Sequence, residues 1–203
     1  MRLKVHPVVS HMKAMLASMK ARTGKSPDDW ATIVLRYGAT DVNKAAAQLK
    51  ADYGLGKPTA WLLASRALGE TPEDYDEAAY LSAATDLFNA QFAGKKAELA
   101  PIAQALATEA TSLGDDARVS PTKTMVPFYR HHVFAQVKAA TQKRVDLGLA
   151  LKGCDGPIDE RLKPTGGAAK GDRITHVIGI FALADIDDQL RKWLKIAYEL
   201  DEK

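Results

Sequence analysis

The sequence predicts an α+β protein: an N-terminal all-helical unit followed by a C-terminal antiparallel sheet flanked by helices. Three observations carry this. Helix start and stop signals recur at short intervals through the first seventy residues. The apolar period changes from helical to alternating near residue 117. Within the later part, Val145, Leu147, Leu149 and Leu151 alternate with Asp146, Gly148 and Ala150, the period of a half-buried strand.

Taken in order, Val8, Met12, Met15, Leu16 and Met19 fall at helical spacing, as a core face or as an adaptable methionine stripe. Ser26-Pro27-Asp28-Asp29 is a helix start: a capping serine, a proline suited to the first turn, and acids at the positive end of the dipole. Trp30, Ile33, Val34 and Tyr37 form the face of that helix, and Gly38 ends it. Asp41 caps the next, with Val42, Ala45, Ala46 and Leu49 inward. After Gly54–Gly56, Pro58 opens a helix bearing Trp61 and Leu62 that stops at Gly69. Thr71-Pro72-Glu73-Asp74 starts another by the same logic, running through Tyr80, Leu81, Ala84, Leu87 and Phe88 to a break at Gly94. A further helix over about 97–113 turns Leu99, Ile102, Leu106 and Ala110 inward. Trp30, Trp61 and Leu149 are expected in the core.

Thr124–Arg130 and Val133–Lys138 read as a hairpin joined at His131-His132, and Ile174–Leu183 as another strand. Strands joined by short turns are antiparallel. Lys163–Arg173, with three glycines, reads as a hairpin loop. Asp185–Asp188 opens a last helix, to about residue 199, with Leu190, Trp193, Leu194 and Ala197 inward. The organisation is a helical unit over 1–70, a linking helix over 71–96 and an α+β domain over 97–203.

The chain has 203 residues, 46% of them apolar and 26% charged, which is ordinary globular composition. No apolar run is long enough to span a membrane, and charges interrupt the start as they would not in a secretory signal. Cys154 stands alone, so neither an internal disulfide nor a cysteine metal cluster can form. A cytoplasmic protein is expected. The net charge of +3 hides a segregation: residues 1–69 hold 11 Lys/Arg against 4 Asp/Glu, and residues 118–173 hold 11 against 5. Between them, residues 70–93 carry six acids and no base. The two basic zones offer a polyanion surface, unless the acidic segment neutralises them in the fold.

Two motif sets carry a family resemblance. Gly24-Lys25-Ser26 followed by Trp30, then Leu49-Lys50, Tyr53-Gly54-Leu55-Gly56 and Ala60, resembles a small helical family of bacterial proteins, a domain of unknown function. Residues 80–199 resemble a second such family. The residues that match are Ser120–Thr124, Phe134-Ala135 with Val137, Arg144–Leu149, Thr175-His176, and Trp193-Leu194 with Ala197-Tyr198. That part is broadly similar to YdhG-type α+β domains. The resemblance covers most of the chain beyond about residue 10. It implies the fold and the two-domain layout. It implies no activity and no catalytic residues.

Candidate ligand-binding residues form two groups. Gly54, Gly56 and Lys57, within Gly54–Ala60, resemble the turn of a helix-hairpin-helix module, where glycines bring backbone donors close to a phosphate. Pro58 removes one donor there, and a purely structural turn has the same look. On the outer face of the sheet, Lys123, Arg130, Arg144, Asp146 and His176 are expected to gather as a mixed-charge patch around the ionised Asp146. The bland alternative is an ion-pair lattice that steadies the sheet. Lys163, Lys170 and Arg173 flank the glycines of the long loop, but the order of a phosphate-binding loop is missing. His131 and His132 diverge on a strand and lack a third metal partner. No cofactor motif, nuclease ligand set or nucleophile with a usable base is visible. The function class left is a binding protein: nucleic acid or another polyanion first, an anionic small molecule on the sheet or a protein–protein adaptor as alternatives.

Overall fold

A computed structural model describes residues 2–154 and 160–202. Residues 1–4 and 84–203 form one compact unit and residues 5–83 another, the division falling within a single helix.

The smaller unit holds helices α1 (Pro7–Ala17), α2 (Met19–Thr23), α3 (Pro27–Arg36), α4 (Val42–Tyr53) and α5 (Lys57–Leu68). The start signals act as the sequence predicts. Ser26 and Asp29 form a reciprocal capping box on α3, and Asp41 accepts from the Lys44 N–H at 2.9 Å. Met19, Trp30, Val34, Ala45, Leu49, Ala60 and Leu63 make the centre of its core. Two details differ. Ser18 divides the first helical stretch, and Val9 is buried there while Val8 is exposed. Trp61 is half-buried at the edge of the core rather than inside it, whereas Trp30 and Leu149 are enclosed as expected. The Thr71–Asp74 signal yields only a 3-10 turn at Pro72–Asp74. Helix α6 (Glu77–Gln91) is capped instead by Asp76, which accepts from the Ala79 N–H at 2.8 Å.

In the larger unit, a 3-10 turn at Gly94–Leu99 leads into α7 (Ala100–Ser112), and α8 (Asp188–Leu200) closes the chain with Asp187 as its cap. Between them, among the described residues, six strands form an antiparallel sheet ordered β1-β2-β3-β4-β6-β5. They are β1 (Arg118–Val119), β2 (Val126–Tyr129), β3 (Val133–Ala139), β4 (Val145–Leu149), β5 (Lys163–Pro164) and β6 (His176–Ile180). The short edge pieces β1 and β5 carry too few residues to show a period in sequence. At the β1 edge, Leu3 bridges to Val119, and buried Ser120 donates through its hydroxyl to the Lys4 carbonyl at 2.7 Å.

Register assigns the two faces. Val145, Leu147 and Leu149 oppose Ala139, Val137 and Ala135 on one side and Ile180, Ile178 and His176 on the other. These residues, His176 apart, are buried in one core with Leu106, Leu190, Trp193 and Leu194 of α7 and α8. The intervening row, Gln136, Lys138, Asp146, Gly148, Val177 and Gly179, faces away from the helices because alternate side chains leave a strand on opposite sides.

Candidate functional site

The outer face of the sheet is where charge and concavity coincide. Lys138 stands directly opposite Asp146. Asp146 accepts from Arg144 in a two-pronged pair, Nε at 2.7 Å and Nη2 at 3.3 Å. The Arg144 stem lies over Gly179, where a Cβ would stand 3.0 Å from its Cδ. The pair is thus internally neutral, and the positive charge of this region comes from lysines.

Lys138 borders a hollow of about 380 Å³ together with Lys96 and Lys123; Gln91 and Thr124 complete its polar lining. Each lysine is delivered by a different element. Lys96, from the turn before α7, donates to the Ala139 carbonyl at 3.0 Å, which holds its ammonium at the end of β3. Lys123 sits in a turn closed by Thr122, whose N–H and hydroxyl both donate to the Met125 carbonyl at 2.9 Å. Gln91 of α6 clamps that turn by donating to the Thr122 and Met125 carbonyls at 2.7 and 3.2 Å. This accounts for the Ser120–Thr124 motif: the serine ties down the N-terminal strand segment, and the threonine shapes the lysine turn.

A second hollow, of about 630 Å³, continues from Thr124 to Met125 and from Lys138 to Gln136. Its far wall is the Thr165–Ile174 loop, which contributes Lys170, Asp172 and Arg173. The loop lies close to the sheet because Gly148 lacks a side chain: a Cβ there would stand 2.7 Å from Ile174 Cγ2 and 3.1 Å from Gln136 Cγ. Arg173 is anchored from below. Its Nη2 donates to Asp201 at 2.6 Å, and its Nε to the Val133 carbonyl at 3.2 Å. Asp201, 1% exposed, also accepts from the His132 N–H at 2.7 Å and lies 3.1 Å from His132 Nδ1. The two hollows form a groove along β3 with Lys96, Lys123 and Lys138 at one end and Lys170 and Arg173 at the other. None of the residues lining it is aromatic.

The sequence-predicted patch is therefore assembled only in part. Lys123, Arg144 and Asp146 lie along this face. Arg130 does not. Its Nε donates to Asp116 at 2.8 Å, and its guanidinium sits 4.4 Å from the centre of the Tyr198 ring of α8. The Tyr198 hydroxyl also donates to Asp116. That bond first, and the Arg130 bond second, hold the Asp116 carboxyl down at about 2. Burial foremost, then the bond to Asp116, pushes the Tyr198 phenol up. His176 is excluded by parity. It opposes Leu149 and so belongs to the helix-facing row, where its Nδ1 lies 2.9 Å from the Thr175 hydroxyl. Lys96, Lys138, Lys170 and Arg173 were not assigned to the patch from sequence. The alternation of Gln136 and Lys138 with Ala135, Val137 and Ala139 was the available signal, and it served for Lys138 alone.

Gly54, Gly56 and Lys57 lie in the smaller unit. Gly54 ends α4 at φ 65° and donates its N–H to the Lys50 carbonyl at 3.0 Å, so that donor is already used. Gly56 is the N-cap of α5 at φ −61°, and a Cβ there meets nothing within 4 Å. Its backbone demands no glycine. Among the described residues no group of His, Cys, Asp or Glu is arranged to hold a metal ion, and no helix is long and apolar enough to cross a membrane.

Fold and groove together define a two-part protein: a small helical domain joined to an α+β domain with an antiparallel sheet and a basic outer face. Residues 88–201 match the family described as a domain of unknown function (DUF5655), and the chain belongs to that family. Residues 11–68 match a second, a domain of unknown function (DUF4287). Both matches fall where the sequence resemblances lie. No curated protein and no solved structure matches the chain.

Proposed function

We propose that the α+β domain is an anion-binding module that takes a phosphate-rich polyanion, nucleic acid foremost, along the outer face of β3. The observation that carries this is the lysine row. Lys138 and Lys170 pair with no carboxylate among the described residues, and Lys96 is held by a backbone carbonyl. Like charges lining one groove repel one another, and an anion relieves that repulsion. The absence of aromatic lining points to contacts with phosphates rather than stacked bases, hence to weak sequence preference. A cytoplasmic setting, in keeping with the lone Cys154, suits this reading. The 380 Å³ end of the groove is also within the size range of small-ligand sites, which supports an anionic metabolite as second reading.

Fluorescence anisotropy with a labelled single strand and a short duplex, from about 50 to 300 mM salt, tests the first reading. Binding is expected to weaken steeply with salt. Lys138→Ala and Lys170→Ala should each reduce the log–log slope by about 1, while Lys192→Ala on α8 leaves it unchanged. A folded protein that retains neither probe at about 50 mM salt removes the polyanion reading.

A further inference from the structure

The α4–α5 hairpin carries another hollow, of about 380 Å³, lined by Asn43, Ala46, Ala47 and Lys50 of α4 and by Lys57 and Trp61 of α5. The α4 residues stand at i, i+3, i+4 and i+7, one face of a helix, and Lys57 and Trp61 stand at i and i+4 on the next. The Gly54–Gly56 turn folds these two faces together. Two alanines make the floor, a tryptophan one wall, and two exposed lysines with an exposed asparagine the rim.

Trp61 is the informative residue. The three tryptophans of the chain differ. Trp30 is enclosed and donates its indole N–H to Thr23 at 3.0 Å, and Trp193 is buried in the sheet core, where its indole N–H has no partner among the described residues and no ligand can reach it. Trp61 is half-buried, and its indole N–H has no hydrogen-bond partner among the described residues. Neither the Asn43 amide nor the Lys50 and Lys57 ammoniums have an intramolecular partner among them either. An indole, two cations and an amide thus line one small space with their hydrogen-bonding capacity unused.

We propose that this hollow binds a nucleotide: the base against Trp61, the phosphate between Lys50 and Lys57, and a base edge or sugar hydroxyl at the Asn43 amide. Planar bases stack on aromatic side chains whatever their identity, and ammoniums complement phosphate charge. A bare inorganic anion would leave the apolar floor and the indole unused. A partner helix would need several large apolar contacts in the groove, and only Trp61 offers one. From Asn43 to Lys50 the groove runs about 10 Å at 1.5 Å per residue, room for one nucleotide. This hollow belongs to the smaller unit and the lysine groove to the larger, and neither proposal rests on the other.

The test uses the full chain, labelled with nitrogen-15, in which each tryptophan gives its own indole N–H signal. Trp61→Phe assigns the Trp61 signal. Titration with adenosine monophosphate is expected to move that signal while those of Trp30 and Trp193 stay. Inorganic phosphate alone should leave it in place. The double substitution of exposed Lys50→Glu and Lys57→Glu should weaken the nucleotide by about tenfold or more, and Trp61→Phe, which keeps a ring, by less. If a short oligoadenylate acts at concentrations where the monophosphate does not, the ligand is one unit of a strand; if the two act alike, it is the free nucleotide. No movement with either up to about 5 mM, a movement that phosphate alone reproduces, or an affinity unchanged in the double variant would overturn the proposal.

Discussion

The two faces of the sheet are built from the same strands and do opposite things. On β4, Val145, Leu147 and Leu149 are fully buried under the helices, while Asp146 and Gly148 between them carry an ion pair and a loop. The helix-facing row is apolar apart from His176, and charge on that side is consumed by structure, as Arg130 is by Asp116 and Tyr198. The outer row leaves Lys138 without a carboxylate partner among the described residues. The difference teaches that a side chain's role here is set by parity first and by residue type second: His176 and Asp146 are both polar residues of paired strands, but His176 aligns with Leu149 and Asp146 with Gly179, so they lie on opposite faces.

The largest expected effect tests that division directly. Leu147→Ala, in the helix-facing row, should destabilise by about 2–5 kcal/mol, because it removes apolar contact and leaves a cavity. Lys138→Ala, on the neighbouring strand but outward, should change stability by no more than about 0.5 kcal/mol. Urea unfolding midpoints measure both. Comparable losses would mean that the outer face is covered and is not a binding surface.

The next tests how closely the loop sits on the outer face. Gly148→Ala would push a methyl into Ile174 and Gln136, at a cost of about 1–3 kcal/mol. Gly179→Ala meets only the stem of Arg144, a flexible side chain that can swing aside, so it should cost clearly less. Equal costs at the two glycines would show that the Thr165–Ile174 loop does not depend on Gly148 for its seat.

These contrasts also explain what was legible in the sequence. The helices were readable because caps are local: Ser26, Asp41 and Asp187 each accept from the backbone N–H three residues on. The central strands were readable from alternation. The faces of β6 were not, because parity across strands depends on register, which no single strand reveals. Trp61 was misplaced for a similar reason. Its helical period is right, but the two alanines opposite leave it an open side. The groove was only half visible because Lys96, Lys123, Lys138 and Lys170 come from four segments, and Asp201 reaches Arg173 from the far end of α8.

That reach gives a third expectation. Asp201 is buried and accepts from Arg173 and from the His132 N–H. Asp201→Ala leaves those donors without their acceptor and should cost about 1–3 kcal/mol. Asp201→Asn keeps an acceptor oxygen and should cost less. If the two variants unfold at the same urea concentration, the charge, and not the hydrogen bonds, is what the site requires.

The smallest effect lies on the helix side, where charge is committed to structure. Asp116 is held at about 2 by the Tyr198 hydroxyl first and by Arg130 second. Its ordinary value is 3.8, so the folded protein binds this proton less readily than the unfolded chain does. The resulting stabilisation is fully present above about pH 4 and is lost as the pH falls through the folded value near 2. The side chain is 49% exposed, and solvent screening keeps the contribution to about 0.5 kcal/mol or less. Asp116→Asn removes the titration while keeping an acceptor for Tyr198 and Arg130. The stability difference between the parent chain and this variant should therefore be constant from about pH 7 to pH 4 and shrink between about pH 4 and pH 2. Chemical unfolding at a series of pH values measures it. A difference that stays constant down to pH 2 would show that the Asp116 carboxylate is not specifically held by Tyr198 and Arg130, and that the helix side spends less of its charge on structure than its geometry indicates.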